Sequence, residues 1–257
     1  MRRTKWFWTA VAGMVLLGGV LTGCQSEEEK EEDGAIVEGT VLVGWKNPKG
    51  KIRVPDGVTD IAEDALANRS EITSVVIPSS VVNINKGAFY NCTGLRNVEI
   101  QGIGLEIIGE GAFHGDTGLV SIMIPDSVTS IGHNAFADCK TLTMIKIPDS
   151  VVTIGEWAFA SCTALRTLTI GNSVTSLGKR AFEYCASLIN VTIPNSVMTI
   201  YASVFCGCDK LTTVNISGEW QAEREGIYMW DVGTITVDML KDNPLGYDGM
   251  MYRRKTE

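Results

Sequence analysis

The chain has 257 residues, of which 45% are hydrophobic and 20% charged. That balance excludes intrinsic disorder, and the length suits one sizeable domain or two small ones. A formal net charge of −8 argues against nucleic acid as a partner, because phosphate binding needs a concentrated basic face.

The first elements lie outside any repeat. MRRTK is a basic stretch, WFWTAVAGMVLLGGVL is an apolar run and LTGC closes it, which is the layout of a secretory signal. Leu21-Thr22-Gly23-Cys24 resembles the bacterial lipoprotein cleavage box. The resemblance makes residues 1–23 a signal peptide and Cys24 the lipidated residue. The apolar run falls slightly short of the about 20 residues a membrane span needs, and no cation follows it directly. An uncleaved transmembrane anchor is the alternative. Loss of Arg2, Arg3 and Lys5 with the signal takes the net charge from −8 to −11. Residues 24–38 carry six acids against one lysine up to Asp33 and read as an extended acidic tether. Such a run avoids anionic headgroups and holds the folded domain off the membrane.

Residues 39–53 read as an N-terminal hairpin cap, with Asn47-Pro48-Lys49-Gly50 as its turn. From residue 54 the chain repeats itself. Leu or Phe recurs at 66, 89, 113, 136, 159, 182 and 205, a near-constant period of 23 residues, which signals a solenoid. In IPDSVTSIGHNAFADCKTLTMIKI, residues 124–147, Ile145 and Ile147 alternate with Met144 and Lys146, the pattern of a strand with one buried face. SVTSIG is a second short extended segment, and Gly132, Gly155 and Gly178 are expected where the chain turns sharply. HNAFADC is expected to be a single helical turn with Ala135, Phe136 and Cys139 facing inward. No repeat buries its apolar side alone, so copies must stack Phe on Phe and Ile on Ile.

These copies resemble the BspA-like class of leucine-rich repeat over residues 54–216. The resemblance implies an α/β leucine-rich repeat solenoid: parallel strands with short helical turns, seven repeats of about 23 residues, capped at both ends. Members of that class are commonly exported or surface-attached, and several are adhesins for host matrix proteins or host cells. Residues 217–257 break the period and read as a C-terminal cap, with strands around GIYMW and TITV and a solvated basic tail at Arg253-Arg254-Lys255.

Three residues after each Phe stand Cys92, Cys139, Cys162, Cys185 and Cys208, with Asp116 in copy three. Equivalent side chains on coils about 4.8 Å apart point the same way, which is too far for a disulfide's Cβ pair at roughly 3.5–4.5 Å. The cysteines are therefore expected to form a structural ladder of buried thiols, small hydrophobes with a weak donor. Cys206 sits one residue after its Phe, at a position of mixed composition expected to be exposed, where an intermolecular disulfide is an option. Copy three has one extra residue and is expected to bulge, with Asp116 accepting backbone N–H bonds within its turn; an altered rim that helps bind something is the other reading.

No catalytic constellation, phosphate loop or metal-ligand spacing is visible, and His114 and His133 are expected to be exposed and unrelated. Neither a cofactor nor a metal is implied. The outward strand positions give a candidate partner-binding face: Arg96, Val120, Met123, Met144, Lys146, Arg166 and Ile189. Exposed methionine suits a pliable contact surface. These features support two functions. One is a membrane-anchored surface lipoprotein whose solenoid binds host extracellular matrix or cell-surface proteins. The other is a periplasmic or envelope scaffold that binds bacterial partners or itself. Gln25, in place of a retention aspartate, favours the outer membrane or cell surface.

Overall fold

The computed structural model describes residues 34–201, 203–224, 227–233, 235–241 and 250–255. The expected signal peptide, Cys24 and the acidic run through Asp33 lie outside the described residues. Among the described residues no helix is long and apolar enough to cross a membrane.

The chain winds into a parallel-strand solenoid of about eight coils with the expected 23-residue spacing. One long sheet takes the short segment of each coil: Asp60–Ile61, Asn83–Ile84, Ile107–Ile108, Ser130–Ile131, Thr153–Ile154, Ser176–Leu177 and Thr199–Tyr201. Equivalent residues pair directly, as in Ser130 with Thr153 and Ile131 with Ile154. A second set of strands is divided into two sheets of four. The first holds Gly50–Arg53, Ile72–Ile77, Asn97–Ile100 and Ser121–Ile122. The second holds Met144–Lys146, Thr167–Thr169, Asn190–Thr192 and Thr213–Asn215.

The core is a set of ladders. Phe89, Phe113, Phe136, Phe159, Phe182 and Phe205 stack with ring centroids 5.1–5.5 Å apart, close to the coil spacing. All six are fully buried, each contributing roughly 1.5–3 kcal/mol by removal from water. Leu95, Leu119, Leu142, Leu165 and Leu188 form a parallel row of equally buried side chains.

The segments around the phenylalanines are not helical. Backbone N–H groups there alternate between two acceptors. Phe113 N–H bonds to Ala135 O of the next coil at 2.8 Å, while His114 N–H bonds to Gly111 O of its own coil at 3.0 Å. The alternation arises because two positions per copy are left-handed. Two residues before the Phe or Leu, Asp64, Gly87, Gly111, Asn134, Trp157, Arg180 and Ser203 all have φ between 51° and 63°. Two residues after it, Asn68, Asn91, Gly115, Asp138, Ser161, Tyr184 and Gly207 do the same with φ between 56° and 78°. Left-handed residues do not propagate a right-handed helix. The Asn, Asp and Gly content of the turns follows from this requirement.

Gly132, Gly155 and Gly178 serve a different purpose from the sharp turn expected of them. None has a positive φ. A Cβ on Gly155 would lie 2.6 Å from the backbone carbon of Gly132, and one on Gly178 equally close to Gly155. These glycines let successive coils approach backbone to backbone.

Both ends differ from the sequence reading. Val41–Lys46 and Gly50–Arg53 belong to different sheets, so residues 39–53 are not a hairpin but most of a first coil. The hairpin lies earlier: Gly34–Glu38 pairs antiparallel with Val41–Lys46 across a two-residue turn in which Gly39 is left-handed. The expected tether therefore ends before Gly34. At the other end, Trp220–Arg224, Ile227–Gly233 and Met250–Arg254 form antiparallel strands, with Met250–Arg254 laid against Thr199–Tyr201 of the last coil. In the TITV segment Ile235 and Thr236 lie outside any strand, and Val237 opens the one helix among the described residues, Val237–Lys241. Arg253-Arg254 is not a solvated tail. The Arg254 guanidinium lies 4.7 Å from the buried Trp220 ring and donates to Val197 O and Ser217 O.

Candidate functional site

Strand alternation puts the candidate residues outside. Within Met144–Lys146, Ile145 is buried and its neighbours are exposed. Arg96, Val120, Lys146, Arg166 and Ile189 are likewise exposed, Met144 is 56% exposed and Met123 87%.

These residues do not form one patch. Met123, Met144 and Lys146 share a shallow cavity of about 270 Å³ with Ile124, Pro125 and Asp126. The cavity lies where the strand ladder is interrupted, between Ser121–Ile122 and Met144–Lys146. Copy three contributes only a two-residue strand there, so Met123 falls just beyond its pairing. The chain stays joined one step earlier, where Thr143 N–H reaches Val120 O at 3.3 Å. Arg166 N–H in turn bonds to Thr143 O at 2.9 Å, which places Arg166 one coil beyond the methionine coil. Arg96 and Ile189 stand further out, one coil before Val120 and one after Arg166. The local chemistry is two flexible thioethers beside the Lys146 ammonium, suited to an apolar segment carrying an acid.

Behind this face, Cys92, Cys139, Cys162, Cys185 and Cys208 are fully buried and none is in a disulfide. Each thiol donates to the carbonyl of the Phe or Leu one coil back: Cys139 to Phe113 O at 3.2 Å, Cys162 to Phe136 O at 3.2 Å and Cys208 to Phe182 O at 3.1 Å. Burial pushes the Cys92 thiol up to about 12 and raises Cys139 and Cys162 as well, which keeps them as inert thiols.

Asp116 occupies the same row and is also fully buried. Its Oδ1 accepts the Cys92 N–H of the preceding coil at 2.6 Å, not a bond within its own turn, and its Oδ2 has no partner. Burial raises its carboxyl well above the usual carboxylate range. Cys206, expected to be exposed, is half-buried. Its row is not uniformly open: Ala137, Ala160 and Glu183 are buried, whereas Tyr90 is 41% exposed. Arg180 pairs with Glu183 at 3.6 Å.

His114 departs from its reading as an unrelated exposed side chain. Its ring stacks on Tyr90 with centroids 5.2 Å apart, and its Nε2 lies 3.9 Å from Asp138 Oδ2. The signal was present in the sequence: Tyr90 and His114 are one copy apart at the same repeat position. His133 is exposed, as expected. Among the described residues no group of three His, Cys, Asp or Glu side chains is placed to hold a metal ion.

Comparison with known proteins places the repeat. The family model for the BspA type leucine rich repeat region matches residues 47–143 and 106–228, with six copies. A leucine rich cell surface protein from Faecalibacterium prausnitzii A2-165 is 30% identical, with a TM-score of 0.62, over 70% of this chain and 54% of its own. A leucine-rich repeat protein from Bacteroides ovatus ATCC 8483 is 27% identical, with a TM-score of 0.63, over 72% of this chain and 51% of its own. The chain thus spans about half the length of these two structures. A search of curated proteins returned no match. The family match covers well over half of the sequence and agrees with the ladders of Phe, Leu and Cys in the core: the chain belongs to the BspA type leucine rich repeat family.

Proposed function

We propose that this protein is an exported, lipid-anchored surface protein whose solenoid attaches to host matrix or cell-surface proteins through the face at Met123, Met144 and Lys146. The observation that carries the binding site is the exposed methionine pair at the interruption of the strand ladder, with its cavity of about 270 Å³. Two exposed apolar side chains beside one cavity offer a partner a contact surface, and methionine adapts its shape to what it meets. The lipoprotein-like box ending at Cys24 supports the anchor, and the description of the Faecalibacterium relative as a cell surface protein supports the location. The repeat family supports a protein partner rather than a substrate.

The test is protease shaving of intact cells, followed by blotting for the solenoid and for a periplasmic control. Loss of the solenoid signal with an intact control is expected. The exposed protein is then assayed on immobilised host matrix proteins beside M123S/M144S/K146S, which should bind less at an unchanged melting temperature. Protection of the solenoid until cells are broken would overturn host attachment and favour the envelope scaffold. Unaltered binding by the triple variant would clear this face of a role.

A further inference from the structure

A second cavity belongs to a different face. It is a trough of about 650 Å³ beside the phenylalanine turns of the first copies. Its floor is the backbone at Gly87 and Gly111, both left-handed, open at Gly111 and crossed by the Asp64 side chain at Gly87. That conformation does not demand glycine in this fold, because Asp64, Asn134, Trp157, Arg180 and Ser203 adopt it at the same repeat position. What glycine adds is space. A side chain at Gly111 would meet only the His114 Cβ, at 3.8 Å.

The walls are chemically distinct. One is the Tyr90–His114 ring stack, whose rings lie within 20° of parallel. The row holding this stack reads Ala67, Tyr90, His114, Ala137, so the outer face of Tyr90 looks over the short Ala67 side chain. A third ring of ligand fits there as the next rung, at a spacing of about 4.8 Å. The other wall is Lys86 and Glu110, paired at 3.0 Å. The Asp64 carboxylate reaches over Gly87, and the amide of Asn134 closes the far end.

We infer that this trough binds a neutral sugar residue, stacked on the outer face of Tyr90 over Ala67 and held at its rim by Asp64 and Lys86. The charges disfavour an anion: Lys86 is already paired with Glu110, and the Asp64 carboxylate would face the ligand. Hydroxyl groups donate and accept at once, so they serve the Asp64 carboxylate and the Lys86 ammonium together. The apolar C–H face of such a ring matches the exposed aromatic face of Tyr90. Sites of this kind combine an apolar platform with a few convergent polar groups. This inference does not rest on the methionine face, which lies on the strand side of the coils.

The test is saturation-transfer NMR on the purified chain. The probes are the methyl glycosides of glucose, galactose, mannose and N-acetylglucosamine, each at about 1 mM, a concentration that detects weak sites. Choline, sialic acid and adenosine serve as cationic, anionic and flat aromatic controls. The expected result is transfer to the C–H protons of at least one neutral glycoside. It should weaken roughly tenfold, equivalent to about 1.4 kcal/mol, in Y90A and in A67F, which fills the slot with the protein's own ring. Y90F should retain it, as should M123S/M144S/K146S, so failure here is separable from failure of the attachment face. Absence of transfer to every neutral glycoside would overturn the inference. So would stronger transfer to a control, or undiminished transfer in both Y90A and A67F at wild-type melting temperatures.

Discussion

From Met144 onward the coils follow a strict 23-residue spacing, keep cysteine in every inner row position and hydrogen-bond as one continuous four-stranded sheet. The coils before it carry one extra residue, bury Asp116 in the cysteine row, lay two glycines side by side in the trough floor and end in a strand of two residues. Both halves share the phenylalanine stack without a break. The contrast shows that this core tolerates irregular copies as long as the Phe rung is kept. Features suited to binding collect where the regular rows lapse, because a lapse exposes what the regular ladder would cover.

The largest expected effect concerns the glycine row. Gly155→Ala should cost about 3 kcal/mol, since its Cβ would press on Gly132 backbone that has nowhere to move. Gly111→Ala, in the trough, should cost only about 1 kcal/mol, the strain of a left-handed alanine. Denaturant midpoints of the two variants decide it, and equal losses would remove the distinction between close approach and turn.

Next is the buried acid. Asp116→Cys should stabilise by about 2 kcal/mol at neutral pH, because it removes an unpartnered buried oxygen and completes the thiol row. The sign with pH follows from the raised carboxyl. Folding takes up a proton wherever the unfolded chain is ionised and the folded Asp116 is not, so wild-type stability falls as pH rises above the ordinary aspartate range. The variant should lack that slope. Parallel pH profiles for the two proteins would mean that Asp116 is charged and solvated in the fold.

In the regular half, Cys162→Ser should cost about 1 kcal/mol for placing a hydroxyl in an apolar row, with partner binding unchanged. A stable variant that no longer binds would give the thiol a chemical role. The smallest effect is expected at Ser161, left-handed at φ 59° where other copies have Asn68 and Asn91. Ser161→Asn should gain about 0.5 kcal/mol, readable as a small rise in melting temperature.

The sequence disclosed the period, the inward rows and the outward alternation because each is written within one copy or in the comparison of copies. It hid what depends on contact between copies. A glycine that permits a turn and a glycine that permits close approach are the same letter, and only the position of Gly132 against Gly155 separates them. The helical reading of HNAFADC failed because its inward spacing also suits a chain alternating between left- and right-handed residues. The docking of Arg253 beside Thr199 spans more than 50 residues and joins the cap to a coil, so comparison of copies carries no signal of it. At the methionine face, exposure was readable from strand alternation, but the interruption that makes a cavity there was not.

The antiparallel strands at the two ends have one more consequence. Gly34–Glu38 closes one end of the long sheet, and Met250–Arg254 closes the last coil at the other. Growth or shrinkage of the gene by whole 23-residue units must therefore happen inside, where each new unit finds identical neighbours above and below. Duplication of residues 147–169 would lengthen the rod by one rung, leaving both closures, the trough and the methionine cavity untouched. Length is a parameter this architecture leaves free for inheritance to vary, independently of what either face has come to hold.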